Sequence, residues 1–189
     1  MNTNRLNSFT DGVVAIIITI MVLELKFPAD PSWGAVRAVL PLLGIYALSF
    51  VNIGIYWSNH HHMMQPVKRI DGRVLWANLL LLFWLSLFPL LIRWVGEAGV
   101  TTMPVAAFGV DCVLAAFAYL LLERALIAAE GEQSTVAKAV GSKTKEWLSA
   151  GLYLTGIAVA FAEPWVSVAL YVAVAIIWFV PDRRFEQQV

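Results

Sequence analysis

Residues 74–94 read VLWANLLLLFWLSLFPLLIRW, an apolar run in which Arg93 is the only charged residue. A helix of about 20 such residues is long enough to cross the hydrocarbon core of a bilayer. The whole chain of 189 residues has this character, since 60% of it is hydrophobic and 14% is charged. Soluble domains average about 45–50% apolar and about 25% charged residues. The composition therefore indicates an integral membrane protein whose surroundings are the lipid bilayer.

The same composition excludes several other classes of protein. The apolar fraction excludes a disordered chain, and a single cysteine, Cys112, excludes a disulfide scaffold. The 13 basic residues are balanced by 13 acidic ones, so there is no excess of positive charge for binding nucleic acid. An enzyme is not expected, because no nucleophile–base pair or complete set of metal ligands stands out.

We predict an all-α fold with six transmembrane helices in a single domain, residues 1–189. The first run follows Met1 too closely for a signal peptide and is expected to be a retained helix. Glu163-Pro164 is expected to form the turn between the last two spans, and the polar segment 129–145 a loop with some helix. The predicted spans are residues 10–27, 36–60, 74–94, 103–126, 147–162 and 165–180.

The positions of the basic residues predict the orientation of these spans. If the N-terminus is cytoplasmic, every Lys and Arg except Lys26, Arg37 and Arg93 lies on the cytoplasmic side. Cytoplasmic loops of membrane proteins carry such an excess of positive charge. We therefore expect both termini to be cytoplasmic.

Asp11 lies at the cytoplasmic start of the first span, where a buried carboxylate needs a partner. The second span ends on the same side at Asn59-His60-His61-His62, and Asn78 lies about one turn into the third. These residues share one depth, and they predict a polar cluster that locks the first helix against the next two. Its expected members are Arg5, Asp11, one or two histidines (His60, His61) and Asn78. Two alternatives are an N-cap at Thr10 or Asp11 and a direct role of Asp11 in transport.

A stripe of residues on the first helix is a second candidate site. Gly12, Ile16, Thr19 and Leu23 are spaced four, three and four residues apart, which places them on one helical face. One interpretation is a lipid-facing stripe in which the Thr19 hydroxyl bonds the carbonyl of Ala15. The other is a pore around a symmetry axis, with hydrophobic constrictions at Ile16 and Leu23 and a ring of Thr19 hydroxyls between them.

The run Arg5-x-x-x-Phe9-Thr10-Asp11-Gly12 resembles the Arg-x-x-x-Phe-Ser-Asp signature of the lysosomal potassium-channel family (transmembrane protein 175) and its prokaryotic relatives. Thr10 departs from the signature, since it adds a methyl group to the serine. Further segments of the chain that are similar to the family are Trp57-x-Asn59-His60-His61, Asn78, Pro89 and Pro181-Asp182-Arg183-Arg184.

The resemblance implies a prokaryotic homotetramer with one six-helix unit per protomer and a pore lined by the first helix. Family pore positions fall on Ile16 (the main constriction), Thr19 and Leu23, the residues that the helical spacing had selected. The implied function is a passive, K⁺-permeable channel with modest selectivity over Na⁺, which interacts with K⁺ and other monovalent cations in the prokaryotic plasma membrane. The permeant K⁺ is the expected ligand, and no cofactor is expected.

Other polar residues leave alternatives open. Three successive histidines point about 100° apart on a helix, so a metal site at His60–His62 is not expected. Glu24 is expected either to attract cations at the outer mouth or to pair with Lys26 or reach the surface. Asp111 is expected to be hydrogen-bonded inside the bundle or to reach the outer surface. The alternative to a channel is a proton-coupled secondary transporter that uses Asp11 and Asp111.

Overall fold

The computed structural model describes residues 3–26, 28–29, 32–139 and 143–179. The segment Pro181–Arg184, which is similar to the family, lies outside the described residues. The described residues form helices without any β-strand, so the predicted all-α class is confirmed. The helices are α1 (Thr3–Leu23), α2 (Trp33–Met64), α3 (Gly72–Leu85), α4 (Phe88–Ala98), α5 (Thr102–Glu130), α6 (Thr135–Ala139), α7 (Thr144–Val159) and α8 (Pro164–Phe179).

Several helix ends follow from local side-chain chemistry. The Ser32 side chain accepts a hydrogen bond from the backbone of Ala35 and starts α2, and the Asp71 carboxylate caps α3 in the same way. Such caps satisfy backbone N–H groups that have no partner inside the helix. At the C-termini, α4 and α5 end at Gly99 (φ 74°) and Gly131 (φ 99°), a backbone region that favours glycine because it has no Cβ.

The third apolar run is broken into two helices at Ser86 and Leu87, whereas the sequence predicted one continuous helix over 74–94. Pro89 has no N–H to donate and its ring clashes with the preceding turn, which explains the break. The Ser86 N–H donates to the Leu82 carbonyl at 2.9 Å, and the Ser86 hydroxyl donates to the Phe83 carbonyl at 2.7 Å. After the break, α4 packs against α1, α2 and α5, while α3 lies mainly along α5.

Helix α5 is the centre of the bundle, because it packs against α3, α4, α7 and α8. Small residues on α5 permit this close packing: Ala115 and Ala118 are fully buried. Tyr171 of α8 lies against Gly109 of α5 and Gly156 of α7, where an added methyl group would overlap its ring. Helices α7 and α8 pack against each other as a hairpin, with the turn at 160–163 where Glu163-Pro164 was expected.

Four helical segments are long and apolar enough to cross a membrane: Thr3–Leu23, Trp33–Met64, Gly72–Ala98 and Thr102–Glu130. They correspond to the first four predicted spans, although α1 begins at Thr3 rather than Thr10 and α2 continues to Met64. The fifth and sixth predicted spans correspond to α7 and α8, which are 16 residues each, and α8 is apolar over its described length. The polar segment after α5 contains the short helix α6, as the sequence predicted.

Candidate functional site

Helix α1 buries one face against the bundle. Leu6, Thr10, Val14, Ile17 and Met21 are at most 4% exposed and follow one another at intervals of three or four residues. This face packs against α2, α3 and α4. Because its partners come from three helices, the rotation of α1 about its own axis is fixed by packing on this side.

The opposite face of α1 holds the four predicted pore residues, and all of them are exposed. Gly12, Ile16, Thr19 and Leu23 lie within about 60° of one another around the helix. Ile16 is 58% exposed and Leu23 is 77% exposed, although both are large and apolar. An apolar stripe left uncovered within one chain needs lipid or another protein surface beside it.

The Thr19 hydroxyl donates a hydrogen bond to the Ile16 carbonyl at 2.9 Å. The carbonyl of Ala15 was the expected acceptor, so this prediction was wrong by one residue. Both carbonyls lie within reach of a threonine on the next turn of a helix. Because the hydroxyl proton is used inside the helix, the Thr19 oxygen keeps lone pairs that can accept a bond or coordinate a cation.

A buried hydrogen-bonded chain joins α1 to the next two helices. The Asn78 amide donates to the Thr10 hydroxyl oxygen at 2.9 Å, and His60 Nε2 bonds the Asn78 carbonyl oxygen at 2.9 Å. Since an amide oxygen can only accept, His60 Nε2 carries the proton in this bond. Thr10, Asn78 and His60 are 2%, 0% and 3% exposed. The structure thus brings together two residues of the predicted lock, His60 and Asn78, with Thr10 rather than Asp11 facing Asn78.

Asp11 belongs to a separate, exposed group. The Trp57 indole N–H donates to the Asp11 carboxylate at 2.8 Å, and the Trp57 ring stacks on His61 with centroids 6.1 Å apart. Arg5 and Phe9 are exposed, and within the described residues Arg5 makes no hydrogen bond or ion pair. The N-cap interpretation of Thr10 and Asp11 is wrong, because α1 begins a full two turns earlier, at Thr3.

Trp57 is the residue that sequence reasoning missed. It entered the sequence prediction only within the motif Trp57-x-Asn59-His60-His61, without an expected partner. The available signal was its position four residues before His61, which places the two rings on one face of α2.

At the far end of α1, charged residues pair differently from the sequence expectation. Lys26 Nζ lies 3.5 Å from a Glu97 carboxylate oxygen, and Arg93 Nε lies 3.0 Å from the same oxygen. The suggested pairing of Glu24 with Lys26 is therefore wrong. Glu24 is half-buried and lines a groove of about 400 Å³ between α1 and the α3–α4 break, together with Pro89 and Arg93.

Asp111 lies in the core of the bundle and is 4% exposed. Neither carboxylate oxygen has a hydrogen-bond partner among the described residues. The expectation of a hydrogen bond inside the bundle, or of contact with the outer surface, is therefore wrong. A bare charge at such a position costs several kcal/mol.

Comparison with known proteins identifies relatives over the whole chain. The family profile described as endosomal/lysosomal potassium channel TMEM175 matches residues 5–89. A potassium channel of Chryseobacterium sp. is 48% identical over 187 residues, which cover 99% of this chain and 97% of that protein. A potassium channel of Chamaesiphon minutus is 31% identical over 186 residues, 92% of each chain.

A solved structure has the same fold. The crystal structure of a lysosomal potassium-selective channel TMEM175 homolog from Chamaesiphon minutus superposes with a TM-score of 0.76 at 27% identity. The match covers 95% of this chain and 97% of that one.

Proposed function

Because the chain belongs to the TMEM175 family of potassium channels, we propose that it conducts K⁺ passively through a pore lined by α1. In this proposal four copies of the chain surround the pore, and each contributes Gly12, Ile16, Thr19 and Leu23. The relatives are channels, so the proposal includes no enzymatic step and no cofactor besides the permeant K⁺. The protein is proposed to be a channel rather than a proton-coupled transporter.

The observation that carries the proposal is the exposed stripe on a helix whose other face is packed. Ile16 and Leu23 are exposed, although the opposite face of α1 buries other large apolar side chains. Gly12 and Thr19 are small or polar and would gain nothing from lipid contact. Small residues instead permit close approach of helices in membranes. A stripe that is apolar, small and hydroxylated in turn therefore fits a symmetric pore better than a lipid-facing surface.

The proposed mechanism follows from the axial spacing of these side chains. Ile16 and Leu23 are seven residues apart, which places their rings about 10 Å apart along the pore. Each ring would exclude water when narrow and admit a partly dehydrated cation when wetted. Between them, Thr19 oxygens would replace some of the lost water, since their protons are already donated to Ile16 carbonyls. Neutral hydroxyls have a weak field, so modest selectivity for K⁺ over Na⁺ is expected.

A K⁺ flux assay on purified protein in liposomes tests the pore assignment. Replacing Ile16 by Asn should keep its ring wetted and raise the flux several-fold. The matched control is Val22→Asn, because Val22 is 47% exposed on the same helix but lies about 90° around it from the stripe. This control should leave the flux unchanged. Equal fluxes for the two folded variants would remove Ile16 from the proposed constriction.

The placement in the membrane completes the proposal. We propose that α7 and α8 also cross the bilayer, which gives six spans, and that both termini are cytoplasmic. The distribution of Lys and Arg supports this orientation. The bacterial relatives support a prokaryotic plasma membrane.

A further inference from the structure

A cavity of about 210 Å³ lies away from α1, between α2, α5, α7 and α8. Its walls are mostly apolar and aromatic, with Tyr56, Phe117, Tyr119, Tyr153 and Trp178 among the lining residues. A smaller apolar cavity, of about 150 Å³, is large enough to hold benzene. No residue of α1 lines this cavity, so it is distinct from the proposed pore.

Three polar or charged side chains lie at one end of the cavity, while Asn52 of α2 also lines it about 10 Å deeper. Asn59 lies near the end of α2, Glu146 near the start of α7 and Trp178 near the end of α8, which the proposed topology places together on the cytoplasmic side. From Glu146 to Tyr153 the wall formed by α7 extends about 10 Å toward the membrane centre. The cavity therefore has a charged end at the level of the lipid headgroups and a body that is mostly apolar and aromatic.

Glu146 is the charged residue among the described residues that line the cavity. Its Oε2 atom is buried and has no hydrogen-bond partner among the residues that the structure describes. The neighbouring Ser149 hydroxyl accepts the Trp178 indole N–H at 2.8 Å and does not bond this Glu146 oxygen in the structure. A desolvated carboxylate oxygen of this kind is stabilised by a cation or a strong donor beside it.

The aromatic surroundings favour an organic cation at this place. The Lys145 ammonium, which does not line the cavity, lies 5.8 Å from the centroid of the Trp178 ring, so this ring accepts an ammonium contact on one face. A bare metal ion needs several oxygen ligands, whereas Glu146 is a single carboxylate. An alkyl chain, in contrast, would fill the apolar part of the cavity, and the surface of the chain would be removed from water.

We propose that this cavity binds an alkylammonium group, with the ammonium at Glu146 and the chain between Tyr153 and the wall formed by α5. Phe117 lines the cavity and is 53% exposed, so the site is open to the surroundings of the protein. The group can come from a membrane lipid with a primary ammonium headgroup or from a free amine. This proposal does not rest on the α1 pore.

Native mass spectrometry of the full chain in detergent tests the site. With octylammonium as the probe we expect one adduct per chain, at about tenfold or higher occupancy than with octanol, because a charged hydrogen bond is stronger than a neutral one. In Glu146→Gln the occupancy by octylammonium should be within about twofold of the occupancy by octanol. Glu163→Gln is the matched control, since Glu163 is exposed in the turn between α7 and α8, and it should keep the preference.

A second variant covers the possibility that Glu146→Gln does not fold. Ala150→Phe adds a ring inside the cavity and should abolish both adducts in a protein that remains monodisperse. Equal binding of amine and alcohol by the unaltered chain, or unchanged binding by Ala150→Phe, would overturn the proposal.

The same measurement with lipids distinguishes the two sources. Phosphatidylethanolamine retained over phosphatidylglycerol, and lost in Glu146→Gln, would identify the lipid as the occupant. Octylammonium binding without that retention would identify a free amine. Either result supports the site.

Discussion

Replacing Asn78 by Leu removes the residue that joins α1, α2 and α3 through its side chain. Two hydrogen bonds are lost at once, one to Thr10 and one to His60, and both partners stay buried. Interhelical hydrogen bonds in membranes contribute about 0.6 kcal/mol on average and up to about 1.7 kcal/mol. We therefore expect Asn78→Leu to lower the free energy of unfolding by about 1–3 kcal/mol.

Equilibrium unfolding in mixed micelles with increasing SDS, followed by circular dichroism, measures this change. Asn52→Leu is the matched control, because Asn52 is also buried but bonds the Leu48 carbonyl within its own helix. Its loss should cost less than the loss of Asn78. A double-mutant cycle with Thr10→Val should then give a coupling energy of about 0.6–1.7 kcal/mol. If Asn78→Leu costs no more than Asn52→Leu and the coupling is near zero, the bridge does not hold the three helices together.

Two further predictions concern the core of the bundle. Gly109→Ala places a methyl group 2.7 Å from the Tyr171 ring, so it should cost about 1–3 kcal/mol in the same SDS titration. Gly151→Ala meets open space and should stabilise the protein by about 0.5–1 kcal/mol; a similar loss for both would argue against the close packing around Tyr171. Asp111→Asn should leave K⁺ flux in liposomes unchanged within about twofold, with or without a proton gradient; a K⁺ flux that requires a proton gradient and is lost in Asp111→Asn would instead support the proton-coupled transporter.

The sequence predicted best those features that depend on helical periodicity. The spacing of Gly12, Ile16, Thr19 and Leu23 placed them on one face, and the structure leaves that face exposed. The depth of side chains in the membrane could also be predicted from the sequence. His60 and Asn78 lie at the same depth on two antiparallel spans, and they are hydrogen-bonded in the structure. Both inferences need only the geometry of one helix at a time.

Features that depend on the rotation of one helix relative to another could not be predicted from the sequence. Thr10 and Asp11 share a depth but point about 100° apart, and only packing decides which of them faces Asn78. The same holds for the indole of Trp57, whose partner Asp11 lies on another helix. The break after α3 was missed because proline does not always interrupt a membrane helix; neighbouring helices decide whether it does.

The bridge at Asn78 also has a consequence for the order in which the chain is made. Thr10 and Asn78 are 68 positions apart, so ribosomes that add about 5–20 residues per second need about 3–14 seconds to connect them. During that interval the Thr10 hydroxyl has entered the membrane or its insertion machinery without its final partner, whereas His60, 18 positions before Asn78, is made only about 1–4 seconds before it. The shortest nascent chain that can satisfy both groups ends with α3, and the family profile stops soon after it, at residue 89.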